Sequence, residues 1–324
     1  MKITQSRVYS DVLAKADREV YDYKLVKVPE SSTMNYKIYK FIGRGRFSLV
    51  FEGNYRGENT QKVVVKVLKP VPKQKIMREI AVLTHLSHKN IVKLLDVTLE
   101  STRMYYSLIF EFENHLPTVD VLSKASLADL KMYSRQILEA LDYTHSRGVM
   151  HRDIKPQNII INVVSKQLKL IDWGLADFYF PQTSYSCKMG TKYYKSPELL
   201  MEYTFYNYSI DIWSFGCILL EAYIKKRPFF RGSDNSDVLY SIIVHLGLLD
   251  LRRFLNKYDV ESPISSKQKE FSEVRKIDVC VSESEFSDVD NDELRDLLRN
   301  ILIYDHVDRF TAAECLKHKF LSNI

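Results

Sequence analysis

The chain has 324 residues and a mass of 38.0 kDa, with 45% hydrophobic and 27% charged residues, a globular balance over a length that fits two lobes of unequal size better than one core. No apolar run approaches the ~18 residues that span a membrane, the polar start from Met1 to Val20 is unlike a secretory signal, and Cys187, Cys217, Cys280 and Cys315 are too scattered for a metal motif or a disulfide framework, so an intracellular, reducing setting is expected. The net charge is +6, but Ser282–Asp296 holds seven acids against one base and leaves a body of +12, which favours an anionic partner: nucleic acid, a membrane surface or an acidic protein.

Residues 1–35 show no periodic element, although they are rich in Tyr and Val. From Tyr36 to Leu68 the pattern is strand-like, and Val63, Val64, Val65 and Val67 suit a buried strand. Lys73 to Leu86 reads as a helix with Ile76, Ile80 and Leu83 on one face. Two further strands are expected over Ile91–Thr98 and Met104–Phe112, and the polar stretch Glu113–Pro117 reads as a hinge. Beyond it Leu127, Leu130, Ile137, Leu138 and Leu141 follow helical spacing, and later helices are expected over Tyr208–Ile224 and Leu294–Tyr304. No internal repeat or heptad pattern is present. The expectation is an α+β chain: an N-terminal segment (1–35), a small β-rich lobe (36–113) and a larger, mainly helical lobe (114–324).

The candidate chemistry is spread over both lobes. Gly43-Arg44-Gly45-Arg46-Phe47-Ser48-Leu49-Val50 lies between two expected strands, where glycines let backbone amides approach phosphate oxygens; by itself the pattern is weak, and a simple hairpin turn is the first reading of it. Lys66 ends the Val-rich strand, where a charge needs a partner or a ligand, and Glu79 in the following helix is the candidate partner. His151-Arg152-Asp153-Ile154-Lys155-Pro156-Gln157-Asn158 matches the protein-kinase catalytic loop, with Ile in place of Leu. Asp172-Trp173-Gly174 follows the apolar run Leu168–Ile171, and Ser196-Pro197-Glu198 stands where kinases have Ala-Pro-Glu.

In order and spacing these resemble the protein-kinase set, over Tyr36 to about Phe320. The resemblance implies a two-lobed kinase fold. It makes Asp153 the group that orients the acceptor hydroxyl, Lys155 and Lys66 the cations on the phosphates, and Asn158 and Asp172 the ligands of Mg2+. Asp211 and Arg309 read as structural charges, with Glu198 and Arg309 forming a buried pair. Lys155 and Gly190-Thr191 resemble Ser/Thr kinases more than Tyr kinases, and Thr191 is expected to hydrogen-bond Asp153 and Lys155.

Trp173, the Gly-Arg-Gly-Arg-Phe-Ser loop, Val63-Val64-Val65-Lys66, the basic run Lys69–Lys75, Arg7–Val12 and Tyr304-Asp305-His306 resemble the catalytic alpha subunits of casein kinase II. That resemblance implies acidic protein substrates, met by Lys188, Lys192 and Lys195. The second basic patch is thin, with Lys73, Lys75 and Arg78 only. It also implies ATP or GTP bound under Gly43, Arg44, Gly45 and Ser48, with Val50 and Val64 above the base and Ile160 and Ile171 below. Phe110 would stand behind the base, with Glu111 and Glu113 along the hinge. Glu113 departs from the family, whose hinge has an apolar residue there.

Activity without activation-segment phosphorylation is implied, through Tyr21 and Tyr23 of the N-terminal segment. So are a regulatory beta subunit on the small lobe, in a tetramer of two alpha and two beta, with Phe51 and Val65 as docking or ordinary core residues, and a location in nucleus or cytoplasm. Ser282 and Ser287 each have acids at +1 and +3; the segment reads first as a solvated acidic loop and second as an autophosphorylation site. A Pro-directed kinase is disfavoured by Lys192 and Lys195, a nucleotide-binding scaffold by the retained Lys66, Glu79, Asp153, Asn158 and Asp172. Nucleic-acid binding is disfavoured for want of an interleaved aromatic–basic motif.

Overall fold

The computed structural model describes residues 1–26, 28, 31–57, 60–100, 105–261, 286 and 288–322. Met104, Cys280, Ser282 and Ser287 lie outside the described residues. The small lobe is a five-stranded antiparallel sheet of order β1-β2-β3-β5-β4, built from β1 (Tyr36–Arg44), β2 (Ser48–Tyr55), β3 (Lys62–Leu68), β4 (Leu94–Glu100) and β5 (Tyr105–Glu111). Its register sorts the side chains. Val50 stands opposite Lys66, Lys66 opposite Leu108, and Val64 opposite Phe110, so these residues share the face turned to the cleft. Val63, Val65 and Ile109 occupy the other face in a small cluster joined by Tyr36, Phe51 and Val67.

Pro70 and Pro72 end the strand region, and α2 (Lys73–His85) starts directly after them. It buries Ile76, Ile80 and Leu83 as the spacing predicts, and Glu79 with them. The strand expected from Ile91 begins three residues later. Ile91 instead bridges to Leu170 of the large lobe, and the Val92 amide donates to the Leu170 carbonyl at 3.0 Å. A β-branched segment must satisfy its backbone somewhere, but its composition does not name the partner.

The hinge leads into α3 (Thr118–Lys124) and α4 (Leu127–Ser146), whose start is fixed by a capping box between Ser126 and Asp129. The core of the large lobe is α6 (Ser209–Ile224), buried over nearly its whole length. A Cβ on Gly216 would come within 2.5 Å of Ile301, so glycine permits α6 to touch the helix Asp292–Ile301. That helix stops before the expected Tyr304: the chain turns so that Leu302 and Tyr304 are buried, and the Tyr304 hydroxyl donates to the Gly247 carbonyl at 2.9 Å. No described helix is long and apolar enough to cross a membrane. Cys187, Cys217 and Cys315 are buried free thiols.

The first residues are built into the large lobe. The Tyr203 hydroxyl donates to the Lys2 carbonyl at 2.7 Å, Arg7 pairs with Glu314 at 3.0 Å, and the Tyr208 hydroxyl donates to the Tyr9 carbonyl at 3.1 Å. Tyr21 packs edge-on against Phe180 with ring centroids 5.2 Å apart, and Gln74 of α2 donates to the Tyr23 hydroxyl.

Candidate active site

Lys66 stands at the centre of the cleft because β3 alternates and α2 faces it. Its ammonium donates to Glu79 Oε1 at 2.7 Å and to Asp172 Oδ1 at 2.6 Å. Burial pushes the Lys66 pKa down, but the Glu79 and Asp172 carboxylates outweigh it and raise the value, so the group stays charged. One cation thereby links strand, helix and the start of the activation segment. Gly174 belongs to the same device, since a Cβ there would lie 3.3 Å from Glu79 Oε2. Trp173 is buried against the His151 ring at 4.5 Å, which anchors the turn that presents Asp172.

The catalytic loop is held from below. The buried Asp211 accepts the main-chain amides of His151 and Arg152 at 2.9 and 2.8 Å. Arg152 has a φ of +65°, a left-handed conformation that side-chain residues adopt at a cost, and these two bonds keep it there. Asp153 is then fixed on both oxygens. Its Oδ2 accepts from Lys155 at 2.6 Å and from the Asn158 amide at 3.0 Å, and its Oδ1 accepts from the Thr191 amide and hydroxyl, each at 3.0 Å. Lys155 also donates to Thr191 Oγ1 at 2.9 Å. Catalytic loop and activation segment are therefore one hydrogen-bonded unit.

Asp172 and Asn158 suit Mg2+. The Asp172 side chain is 49% exposed, so its carboxylate opens to the cleft. Burial raises its pKa, and the Lys66 ammonium, with His151 and Lys155, lowers it to a net value below the ordinary carboxylate range. Asn158 spends its NH2 on the Asp153 carbonyl and carboxylate, so the amide oxygen is the atom that would meet a cation. A carboxylate oxygen and an amide oxygen are the hard donors that this ion takes.

The Gly43–Ser48 loop is a tight hairpin: the Gly45 amide donates to the Ser48 carbonyl at 2.9 Å, and a Cβ on Gly45 would come within 3.0 Å of Ser48 Oγ. Gly43 pairs with Val50 and Arg44 with Leu49. Lys69 clamps the loop, donating to the Gly45 and Arg46 carbonyls at 2.8 and 3.2 Å. Phe110 is buried, and Val50, Val64, Ile160 and Ile171 are half-buried around the cleft. Glu111 and Glu113 both pair with Lys169.

The three activation-segment lysines differ. Lys188 is exposed, and Lys192 donates to the Ser233 carbonyl at 2.6 Å. Lys195 turns inward, 8% exposed, and donates to the Cys187 carbonyl at 3.1 Å; burial holds its pKa below the ordinary lysine value. Phe51 is half-buried on the outer face of the sheet and Val65 is buried there. Glu198 and Arg309 form the expected pair, with contacts of 2.7 and 3.1 Å.

Sequence reasoning missed Asp177. Its Oδ2 accepts from Arg78 of α2 at 3.0 Å and pairs with Arg152 of the catalytic loop at 2.9 Å. No local signal marks an Asp in this position, because both partners come from elsewhere in the chain. Lys69 and Lys169 were missed for the same reason.

The protein kinase domain family matches residues 36–321. A probable casein kinase II subunit alpha homolog of Encephalitozoon cuniculi is 46% identical over 320 residues, covering 98% of this chain and 97% of the relative. The casein kinase II subunit alpha' of Saccharomyces cerevisiae is 40% identical over 319 residues, covering 97% and 93%. With the Lys66–Glu79–Asp172 link and the braced Asp153 already in place, these similarities give the conclusion that the chain belongs to the protein kinase family, as a Ser/Thr kinase of the casein kinase II alpha type.

Proposed function

We propose that this chain transfers the γ-phosphoryl group of ATP, and of GTP, to Ser or Thr followed by acidic residues, and that it needs no phosphorylation of its own to do so. The observation that carries the reading is Asp153, held through both oxygens by Lys155, Asn158 and Thr191 at 2.6–3.0 Å. Asp153 orients the acceptor hydroxyl and takes up its proton, and Lys155 offsets charge on the moving group. Lys66, kept cationic by Glu79 and Asp172, grips the phosphates. Asp172 and Asn158 hold Mg2+, which when bound neutralises the triphosphate charge. The amides of Gly43–Ser48 cover the phosphates, and Val50, Val64, Ile160, Ile171 and Phe110 enclose the base beside Glu111 and Glu113.

Two observations support activity without phosphorylation. Many kinases order this segment by pairing arginines with a phosphorylated side chain; here the Asp177 carboxylate already joins Arg78 and Arg152. The N-terminal segment packs Tyr21 and Tyr23 on Phe180 and α2. Asp177→Asn keeps the shape and removes the charge. It is expected to lower kcat roughly tenfold, about 1.4 kcal/mol of barrier, and to lower the melting temperature as well, since Arg78 and Arg152 then face each other without a carboxylate; unchanged turnover would remove Asp177 from this role.

Acidic specificity rests on the basic activation segment. Lys188 lies at the surface and reaches an acidic side chain directly, the half-buried Lys192 does so beside its bond to the Ser233 carbonyl, and the inward Lys195 contributes to the positive field from below. The apolar outer face of the small lobe, with Phe51 and the exposed Ile38 and Phe41, supports docking of a regulatory beta subunit, and with it a tetramer of two of each chain.

Phosphate transfer from labelled ATP to two Ser peptides tests the reading, one with acids at +1 to +3 and one with Pro at +1. Labelling of the acidic peptide alone is expected, with Lys188→Glu/Lys192→Glu lowering its kcat/KM at least about tenfold. Labelling of the Pro peptide discards the specificity, and labelling of neither discards the activity.

A further inference from the structure

The hinge carries a charge cluster for which phosphoryl transfer has no use. Lys169 lies on β8 (Gln167–Leu170), which pairs with β7 (Ile159–Asn162). Its Nζ stands 2.6 Å from Glu111 Oε1 and 2.8 Å from Glu113 Oε1. Glu111 Oε1 also accepts the Lys93 amide at 2.8 Å. The three side chains are only 14%, 23% and 28% exposed, so water screens them poorly. Lys169 is the one cation paired with Glu113 among the described residues, and two carboxylates share its single charge.

The position of the cluster gives it a consequence. Lys169 stands directly opposite Ile160 in the β7–β8 register, so both side chains leave the hairpin on one face. Ile160 is the floor of the base pocket in the reading above, and this inference rests on that reading. The cluster therefore borders the base, at the opposite end of the nucleotide from Lys66 and Asp172. A purine presents its hydrogen-bonding edge to the hinge. Guanine offers two donors there, N1–H and the N2 amine, whereas adenine offers the N6 amine and an N1 acceptor. A free carboxylate accepts from the first pattern and leaves the adenine N1 acceptor facing an acceptor. Glu113 brings an acid to this hinge, and its carboxylate is already taken by Lys169.

We propose that Lys169 sets the base selectivity of the nucleotide site by holding Glu113 away from the purine edge. With the pair intact, adenine and guanine nucleotides meet a neutralised hinge and both are accepted. With Lys169 gone, Glu113 is released toward the base and guanine is favoured. Lys169 thus acts as a positioning residue, through Glu113.

The test is equilibrium binding of ADP and GDP with Mg2+ by calorimetry, for the parent chain, Lys169→Met, Lys169→Arg and the double variant Lys169→Met/Glu113→Val. The ratio Kd(ADP)/Kd(GDP) is expected to rise on the order of tenfold in Lys169→Met, the size of one charge-assisted hydrogen bond. It should stay within about threefold of the parent in Lys169→Arg, which keeps the cation, and return there in the double variant, which lacks the released acid. An unmoved ratio in Lys169→Met overturns the inference while leaving the kinase reading intact. A shift that persists in the double variant also overturns it, because Lys169 would then act without Glu113. A parent chain that binds neither diphosphate overturns both. Should Lys169→Met fail to fold, Lys169→Gln retains a hydrogen bond to Glu111 and is expected to raise the same ratio at least threefold.

Discussion

Replacing Asp172 by Ala is expected to abolish turnover while leaving a folded protein. The reasoning is an asymmetry between its two neighbours. On one side Asp172 meets Lys66, but Lys66 keeps Glu79 at 2.7 Å, so no buried charge is left alone. On the other side the Asp172 carboxylate opens to the cleft, 49% exposed, so its removal leaves no cavity in the core. Little stability is therefore lost. The proposed grip on Mg2+ is lost almost entirely, since Asn158 offers a neutral oxygen and no charge. Loss of a metal's charge stabilisation is worth several kcal/mol of barrier, and about 4 kcal/mol corresponds to a thousandfold drop in kcat. Activity with the acidic peptide and a thermal melt on the same sample check both halves. Turnover within tenfold of the parent would contradict the proposed role of Asp172.

Replacing Arg309 by Met is expected to do the reverse, damaging the fold far from the cleft. Arg309 and Glu198 are both fully buried, joined by two hydrogen bonds of 2.7 and 3.1 Å. The guanidinium also donates to the carbonyls of Ser209 and Ile303 at 2.9 and 2.8 Å and lies over the Trp213 ring. Methionine matches much of its length, so the loss is electrostatic: Glu198 remains as an unpaired carboxylate in the interior. Breaking one partner of such a pair costs about 3–5 kcal/mol, a fall in melting temperature on the order of 10 °C. The pH dependence gives the signature. In the parent chain burial raises the Glu198 pKa and Arg309 lowers it to a net value below the usual one, so the pair contributes stability above the unfolded value that fades as pH falls through the folded value. In Arg309→Met the Glu198 pKa rises instead, and part of the deficit is recovered on acidification as the carboxyl is neutralised. A deficit that is small at neutral pH, or that grows on acidification, would show that the pair does not carry this stability.

The catalytic loop was legible in one dimension because its chemistry sits within His151–Asn158, and backbone geometry alone brings Asp153, Lys155 and Asn158 together. Lys66 and Glu79 were legible because a Val-rich strand and an amphipathic helix have fixed periods, which turn both residues inward. Asp177 was invisible. Its partners Arg78 and Arg152 sit in α2 and the catalytic loop, and an isolated Asp carries no mark of either. Glu113 was read as an acid at the base edge, and the cation that occupies it was not, because Lys169 lies 56 positions on, in a strand that reads as apolar. The inward turn of Lys195 was hidden likewise, since a lysine in a basic segment looks like surface.

The sequence by itself determined the two-lobed α+β order of elements, the candidate residues for the proposed transfer chemistry, and the family. Period and local spacing encode these, and both act over a few residues. Only the tertiary structure decided which groups meet: the charges of Lys169 with Glu113 and of Arg78 and Arg152 with Asp177, and the backbone of Ile91 with Leu170 instead of a neighbouring strand. Opposite charges attract without regard to identity, and a backbone N–H donates to any carbonyl. The choice of partner is made when the two lobes and the N-terminal segment pack, and which groups lose water together at that step is not written in any local stretch of the chain.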